Sequence, residues 1–201
     1  MRRTHWLLAL AAGYVDGICL LFLGGVFGGV VTGNLVVLGV AGVQRLPETA
    51  LRAALSVAVY GGTLWLARRV APSRCLVGAL LALCTLCGGW MVTAHDPRGV
   101  TQLPLLALAA IATGLQHAAT TGEKGGEKGV FDTVLPFACI AIGAVSAGLL
   151  VERVPWIGPL PAVLLVAVAL VVGSLRPPDA STSTPRHRER AGGPAEAPAR
   201  L

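Results

Sequence analysis

The chain alternates long apolar stretches with short charged clusters. Residues 50–67 are apolar up to Arg68-Arg69, residues 75–94 up to His95-Asp96-Pro97-Arg98, and residues 102–121 up to Gly122-Glu123-Lys124. Residues 131–151 run up to Glu152-Arg153, and residues 157–175 up to Arg176. About 20 apolar residues in a helix cross the hydrocarbon core of a bilayer, so each stretch predicts one transmembrane helix. Pro155, Pro159 and Pro161 fall at the start of the last, where a missing amide hydrogen costs least. The opening stretch, residues 6–43, is too long for one crossing. It is interrupted by Gly24, Gly25, Gly28 and Gly29 and by Thr32-Gly33-Asn34. A polar break inside so apolar a run cannot be an ordinary water-exposed loop. In a membrane, non-helical backbone persists only where protein groups or a watered cavity satisfy it. Two arrangements fit: two full crossings, or one crossing plus a partial re-entrant segment.

Charge decides between them. With one net crossing and the N-terminus inside, the basic residues divide twelve inside to four outside (Arg45, Arg52, Arg98 and Arg153). With two crossings the better orientation gives ten to six. The excess of Lys and Arg in cytoplasmic loops favours the first. Removing the five tail arginines leaves seven to four for one crossing, and five to six for two with the N-terminus outside. The expectation is therefore six net crossings in a multi-pass membrane protein, with both termini cytoplasmic. These group as three plus three, in halves that an odd helix count inverts relative to each other.

Composition agrees with an all-α polytopic membrane protein. Of 201 residues, 54% are hydrophobic and 13% charged, and the mean hydropathy is +0.72; a soluble domain carries about 25% charged residues. The net charge of +6 lies in loops and tail with no aromatic interleaving, which argues against nucleic acid as a partner and for topology-setting charge. Residues 1–175 read as the transmembrane domain. Residues 176–201 read as a disordered cytoplasmic tail of Pro, Ser, Thr, Ala, Arg and Gly.

The five cysteines form no secreted disulfide framework. Cys84-Thr85-Leu86-Cys87 has redox or metal spacing but no companion pair, and small buried side chains are the favoured reading. No metalloprotease, nucleophile-elbow, phosphate-loop or dinucleotide motif is present, so neither an enzyme nor a cofactor is expected. Gly122–Gly129, a doubled Gly-Glu-Lys-Gly, reads as a flexible cytoplasmic loop. Gly25, Gly29 and Gly33 recur every four residues, as do Gly13 and Gly17; on helices these line faces that let neighbours approach closely. Trp6 and Trp156 suit interfacial anchors.

Few polar residues fall inside the spans. Asp16 is the only carboxylate deep in one. Ionised carboxylates at mid-bilayer cost several kcal/mol on insertion scales, about 2.5 to 3.5, so Asp16 should face the bundle interior, paired or protonated. It reads either as an ion or solute contact or as a structural hydrogen bond locking the broken helix. Thr32, Gly33 and Asn34 offer a hydroxyl, a close backbone and an amide, next to helix ends whose partial charges can hold an ion or anionic group. Gln116 suits a hydrogen bond across the bundle. His117, nearer the cytoplasmic interface, is chemically able to relay a proton.

Gly13-Tyr14-Val15-Asp16, Leu23-Gly24-Gly25-Val26-Phe27, Val31-Thr32-Gly33-Asn34 and Leu38-Gly39 resemble the opening motif of the YoaK-like bacterial membrane family, also called the domain of unknown function 1275. Gly114-Leu115-Gln116 is similar to that family's second-half Gly-Leu-Gln element. The resemblance covers about residues 5–175 and implies an integral membrane protein of about six helices in a bacterial cytoplasmic (inner) membrane, without an established activity. The family follows its second element with another Thr-Gly motif. Here Thr121-Gly122-Glu123-Lys124 leads directly to a plain span, so a second broken segment is lost or replaced. The leading expectation is a transporter or channel-like protein for an ion or small polar solute, with a path at Asp16, Thr32, Gly33, Asn34, Gln116 and His117. A non-transporting membrane scaffold or regulatory partner is the alternative, and an intramembrane thiol enzyme the third reading. The partners expected are the lipid bilayer and the solute.

Overall fold

The computed structural model describes the backbone of residues 2–121 and 130–174 and the side chains of residues 4–121 and 135–174. The Gly122–Gly129 loop and the tail 176–201 lie outside the described residues. Those described form seven α-helices and no strand. They are α1 (Arg2–Phe22), α2 (Val31–Val43), α3 (Pro47–Ala67), α4 (Pro72–Val92), α5 (Gln102–Thr121), α6 (Val130–Arg153) and α7 (Leu160–Ser174). The chain is thus an all-α polytopic membrane protein, with five helices long and apolar enough to span and two shorter apolar ones, α2 and α7. Pro47 and Pro72 open α3 and α4 where their missing amide hydrogens have no partner to lose.

Contacts along the helices fix their directions. Gly13 and Gly17 of α1 lie against Ile140 and Ala144 of α6, so these two run parallel. Gly78 of α4 meets Leu115 of α5, and Gly89 meets Leu105, so these run antiparallel. Gln102 at the start of α5 donates to the Phe22 carbonyl at the end of α1 (3.1 Å). Tyr14 of α1 donates to the Gly158 carbonyl just before α7 (3.0 Å). The helices α1, α3, α4, α5, α6 and α7 therefore alternate in direction between two faces of the bundle.

Region 6–43 makes one net crossing. Arg52, early in α3, packs on Gly24, just past the end of α1, while Ser56 one turn later bonds to Phe27 and Gly28. Gly29 bonds back to Asp16. After Phe22 the chain thus turns at Gly24 and Gly25, both with positive φ (100° and 76°), and descends beside α1. From Val31, α2 climbs back along α3 to the face where α1 ended. At 13 residues and 1.5 Å per residue it is about 20 Å long, too short to span.

The break itself lies earlier than the sequence pattern suggested. Thr32, Gly33 and Asn34 are helical, in the first turn of α2, and the non-helical segment is residues 23–30. The glycines, with no Cβ and free access to positive φ, open the chain; Asn34 organises the opening from outside it. Gly25, Gly29 and Gly33 consequently share no helical face: Gly25 has open space around it, Gly29 meets Thr113, and Gly33 meets the Phe27 ring. Gly13 and Gly17 do form the close-packing face expected of them.

The contacts among the six helices other than α2 repeat between the halves. Matching α1, α3 and α4 with α5, α6 and α7 turns the α1–α6 contact into α5–α3, and α4–α5 into α7–α1. The α4–α7 and α1–α5 contacts map onto themselves. This is the pattern of an inverted repeat. α2 alone has no counterpart among the described helices, because α5 and α6 are separated only by residues 122–129.

Candidate functional site

The re-entrant segment is held by three side chains from three helices. Asn34 accepts from the Phe27 N–H through Oδ1 (2.8 Å) and donates through Nδ2 to the Phe27 carbonyl (2.7 Å) and to Ser56 Oγ (3.1 Å). Ser56 Oγ lies 2.6 Å from the Phe27 carbonyl oxygen and 3.2 Å from that of Gly28, and donates into that pair. Asp16 Oδ1 accepts from the Gly29 N–H at 2.8 Å. Non-helical backbone at this depth is tolerated because these side chains take its polar groups out of contact with lipid.

Absent side chains shape the same place. A Cβ on Gly28 would sit 3.3 Å from Asp16 Oδ1, and one on Gly29 would sit 3.0 Å from Thr113 Cβ. The segment is therefore wedged between α1 and α5 with its backbone against both. Gly33 lets the Phe27 ring lie on the first turn of α2, where a Cβ would come within 2.9 Å of the ring. No side chain caps the start of α2, so its first amide groups keep no side-chain partner, and the positive end of its dipole lies at the foot of the re-entrant segment.

The candidate residues divide into distinct environments. Asp16, Asn34 and Gln116 are 5%, 1% and 3% exposed, which makes them the buried members of the set. Asp16 and Asn34 meet on one segment, eight residues long. Gln116 has no hydrogen-bond partner for Nε2 or Oε1; it is buried as expected, and without the partner expected across the bundle. It follows Ala109 by seven residues and Thr113 by three, so it continues the α5 face that meets Gly28 and Gly29. His117 is exposed, and its Nδ1 lies 3.0 Å from the Tyr60 hydroxyl. Thr32 is exposed.

Three contributors escaped the sequence pattern. Ser56 is a lone serine in an apolar stretch, and nothing in its spacing ties it to Asn34. Tyr60, four residues later, reads as a core aromatic until His117 is brought to it. Arg52 reads as a loop-edge cation, yet its stem packs on Gly24 while its guanidinium bonds Glu48 at 3.1 Å. The cysteines divide as well: Cys19 and Cys75 are buried, but Cys84 is exposed, against the expectation of a uniformly buried set. The Cys84 side of α4 faces away from the bundle, where its thiol needs no packing partner. Among the described residues, no three His, Cys, Asp or Glu gather as metal ligands would.

A family model described as a protein of unknown function (DUF1275) matches residues 4–129. That range runs from α1 through α5 and holds the whole re-entrant element. No curated protein matches the chain, and no solved structure does.

Proposed function

The chain belongs to the DUF1275 family, and from that premise we propose that it is a small transporter or channel-like protein for an ion or small polar solute. The observation that carries this reading is the half-length α2. It begins at the foot of the re-entrant segment with no side-chain cap, two residues after Gly29, which bonds Asp16 and meets the α5 face that bears Gln116. Broken helices whose ends meet at mid-depth between inverted halves are the usual construction of a solute site in membrane transporters. The proposal places the protein in a bacterial cytoplasmic membrane with both termini cytoplasmic, supported by the distribution of Lys and Arg. It also treats the chain as a non-enzyme that needs no cofactor.

The test is flux into proteoliposomes across a panel of ions and small solutes. Asp16→Asn and Asn34→Ala are expected to lower the flux of the transported solute at least tenfold. Flux that both variants leave unchanged would remove the proposed site. A second reading, a non-transporting scaffold or regulatory partner, is favoured by one observation. The bonds of Asp16 and Asn34 are made to the segment's own backbone, which suits a static fold. Absence of flux for every solute, with a stoichiometric partner retained on purification, would select it.

A further inference from the structure

Gln116 is the one buried side chain whose polar atoms have no partner among the described residues. At 3% exposure, water does not reach it in this conformation. A buried carboxamide left unpaired raises the energy of the state that contains it. Its place in the fold is specific. Helical side chains lean toward the N-terminus of their own helix, so Gln116 leans back toward Thr113, which touches Gly29. The start of α2 follows two residues after Gly29 and carries no side-chain cap. An unpaired donor and acceptor therefore stand on the α5 face that closes over the re-entrant segment.

We propose that Gln116 is a solute-contacting residue that takes a small neutral molecule presenting a donor and an acceptor side by side, a primary amide or urea-type group. The proposal rests on the transport reading and deepens it. The molecule carries a precedent for the pairing. The Asn34 carboxamide already engages an N–H and a C=O at once, both from Phe27, at 2.8 and 2.7 Å. A neutral solute is selected because the described buried side chains include one charge, Asp16, and that carboxylate is engaged by Gly29. An anion finds no buried cation among the described residues and leaves the Gln116 carbonyl unpaired, and a cation leaves the Gln116 N–H donors unpaired. The described conformation is the closed one. Entry of a solute satisfies both Gln116 groups, and Gly25, with open space around it, gives the turn room to move.

The experiment uses the full chain in nanodiscs with its three glutamines labelled with nitrogen-15, the Gln116 signal being assigned by its loss in Gln116→Met. Acetamide, acetate and ethylammonium serve as neutral, anionic and cationic probes of similar size. Acetamide is expected to shift the Gln116 carboxamide signal saturably, with at least a tenfold weaker response to either ion. No saturable shift with acetamide, or an equal shift with an ion, overturns the proposal. Flux is measured in parallel. A saturable acetamide shift without flux of any solute upholds the Gln116 subsite and ends the transport reading. Flux of another solute without an acetamide shift does the reverse.

Discussion

Asn34 and Asp16 hold the same eight-residue segment by different means, and their removal should differ accordingly. Asn34→Ala leaves the Phe27 N–H without its acceptor and Ser56 without its donor. A buried polar group left unpaired costs about 1–3 kcal/mol, so a loss of about 2 kcal/mol is expected in denaturant unfolding of the detergent-solubilised protein. Asp16→Asn keeps a carbonyl oxygen for Gly29 and should cost less than 1 kcal/mol, about the difference between charged and neutral acceptors. A larger loss for Asp16→Asn than for Asn34→Ala would contradict the hydrogen-bond assignment. Gln116→Met works in the other direction. Replacing an unpaired buried carboxamide by an apolar chain of similar volume is expected to stabilise the solute-free protein, by about 1 kcal/mol. Polarity within an apolar run pointed to Asp16, Asn34 and Gln116 in the sequence, because burying such groups costs too much to be casual. What the sequence does not carry is which backbone atoms they meet. That depends on how far the chain descends after Phe22, and so on the packing of α3 and α5.

At the scale of elements, α1 and α6 meet backbone to backbone. A Cβ on Gly13 would collide with the Ile140 carbonyl oxygen, and one on Gly143 with the Leu10 carbonyl oxygen. A Cβ on Gly17 would lie 2.8 Å from Ala144 Cα. Backbone cannot step aside as a side chain does, so Gly13→Val should exceed the usual 1–3 kcal/mol of overpacking, at about 3 kcal/mol or more. Gly88→Val, at a glycine with open space around it, is the control and should be near neutral. Equal losses for both would mean that the α1–α6 contact is looser than described. The other end of α1 is tied by Gln102 to the Phe22 carbonyl and by the edge-to-face pair of Phe22 and Trp90, 5.8 Å between centroids. The four-residue spacing of Gly13 and Gly17 disclosed the close face correctly because α1 is an unbroken helix there. The same spacing at Gly25, Gly29 and Gly33 misled, since a helical period has no meaning across a non-helical segment. The helices that start at Pro47 and Pro72 open three residues before the apolar stretches read at 50 and 75, whereas the start of α2 at Val31 was not legible at all. No side chain caps it, and the apolar run gives no punctuation there.

At the scale of the molecule, one arm distinguishes the two halves. The first half inserts a re-entrant segment and α2 between its first and second spanning helices, and the second half joins α5 to α6 through residues 122–129. The absence of a second Thr-Gly-Asn from the later half was visible in the sequence; that the surrounding helices keep an inverted-repeat packing was not, because only contacts between distant helices reveal it. This asymmetry has a consequence for topology that labelling can read. If α2 returned through the membrane as a full crossing, Gln44 would share a side with the N-terminus. With α2 re-entrant, Gln44 lies on the side where α1 ends, opposite Thr4 at the start of α1. In a background with its five cysteines replaced by alanine, Gln44→Cys should react with a membrane-impermeant thiol reagent from one side of sealed vesicles. Thr4→Cys should react only from the other. Labelling of Gln44→Cys and Thr4→Cys from the same side would make region 6–43 a double crossing. It would also reverse the direction of α3 relative to α1, which the contacts of Arg52 with Gly24 and of Ser56 with Gly28 forbid. The labelling pattern therefore tests the parity drawn from charge and the re-entrant geometry drawn from packing in a single measurement.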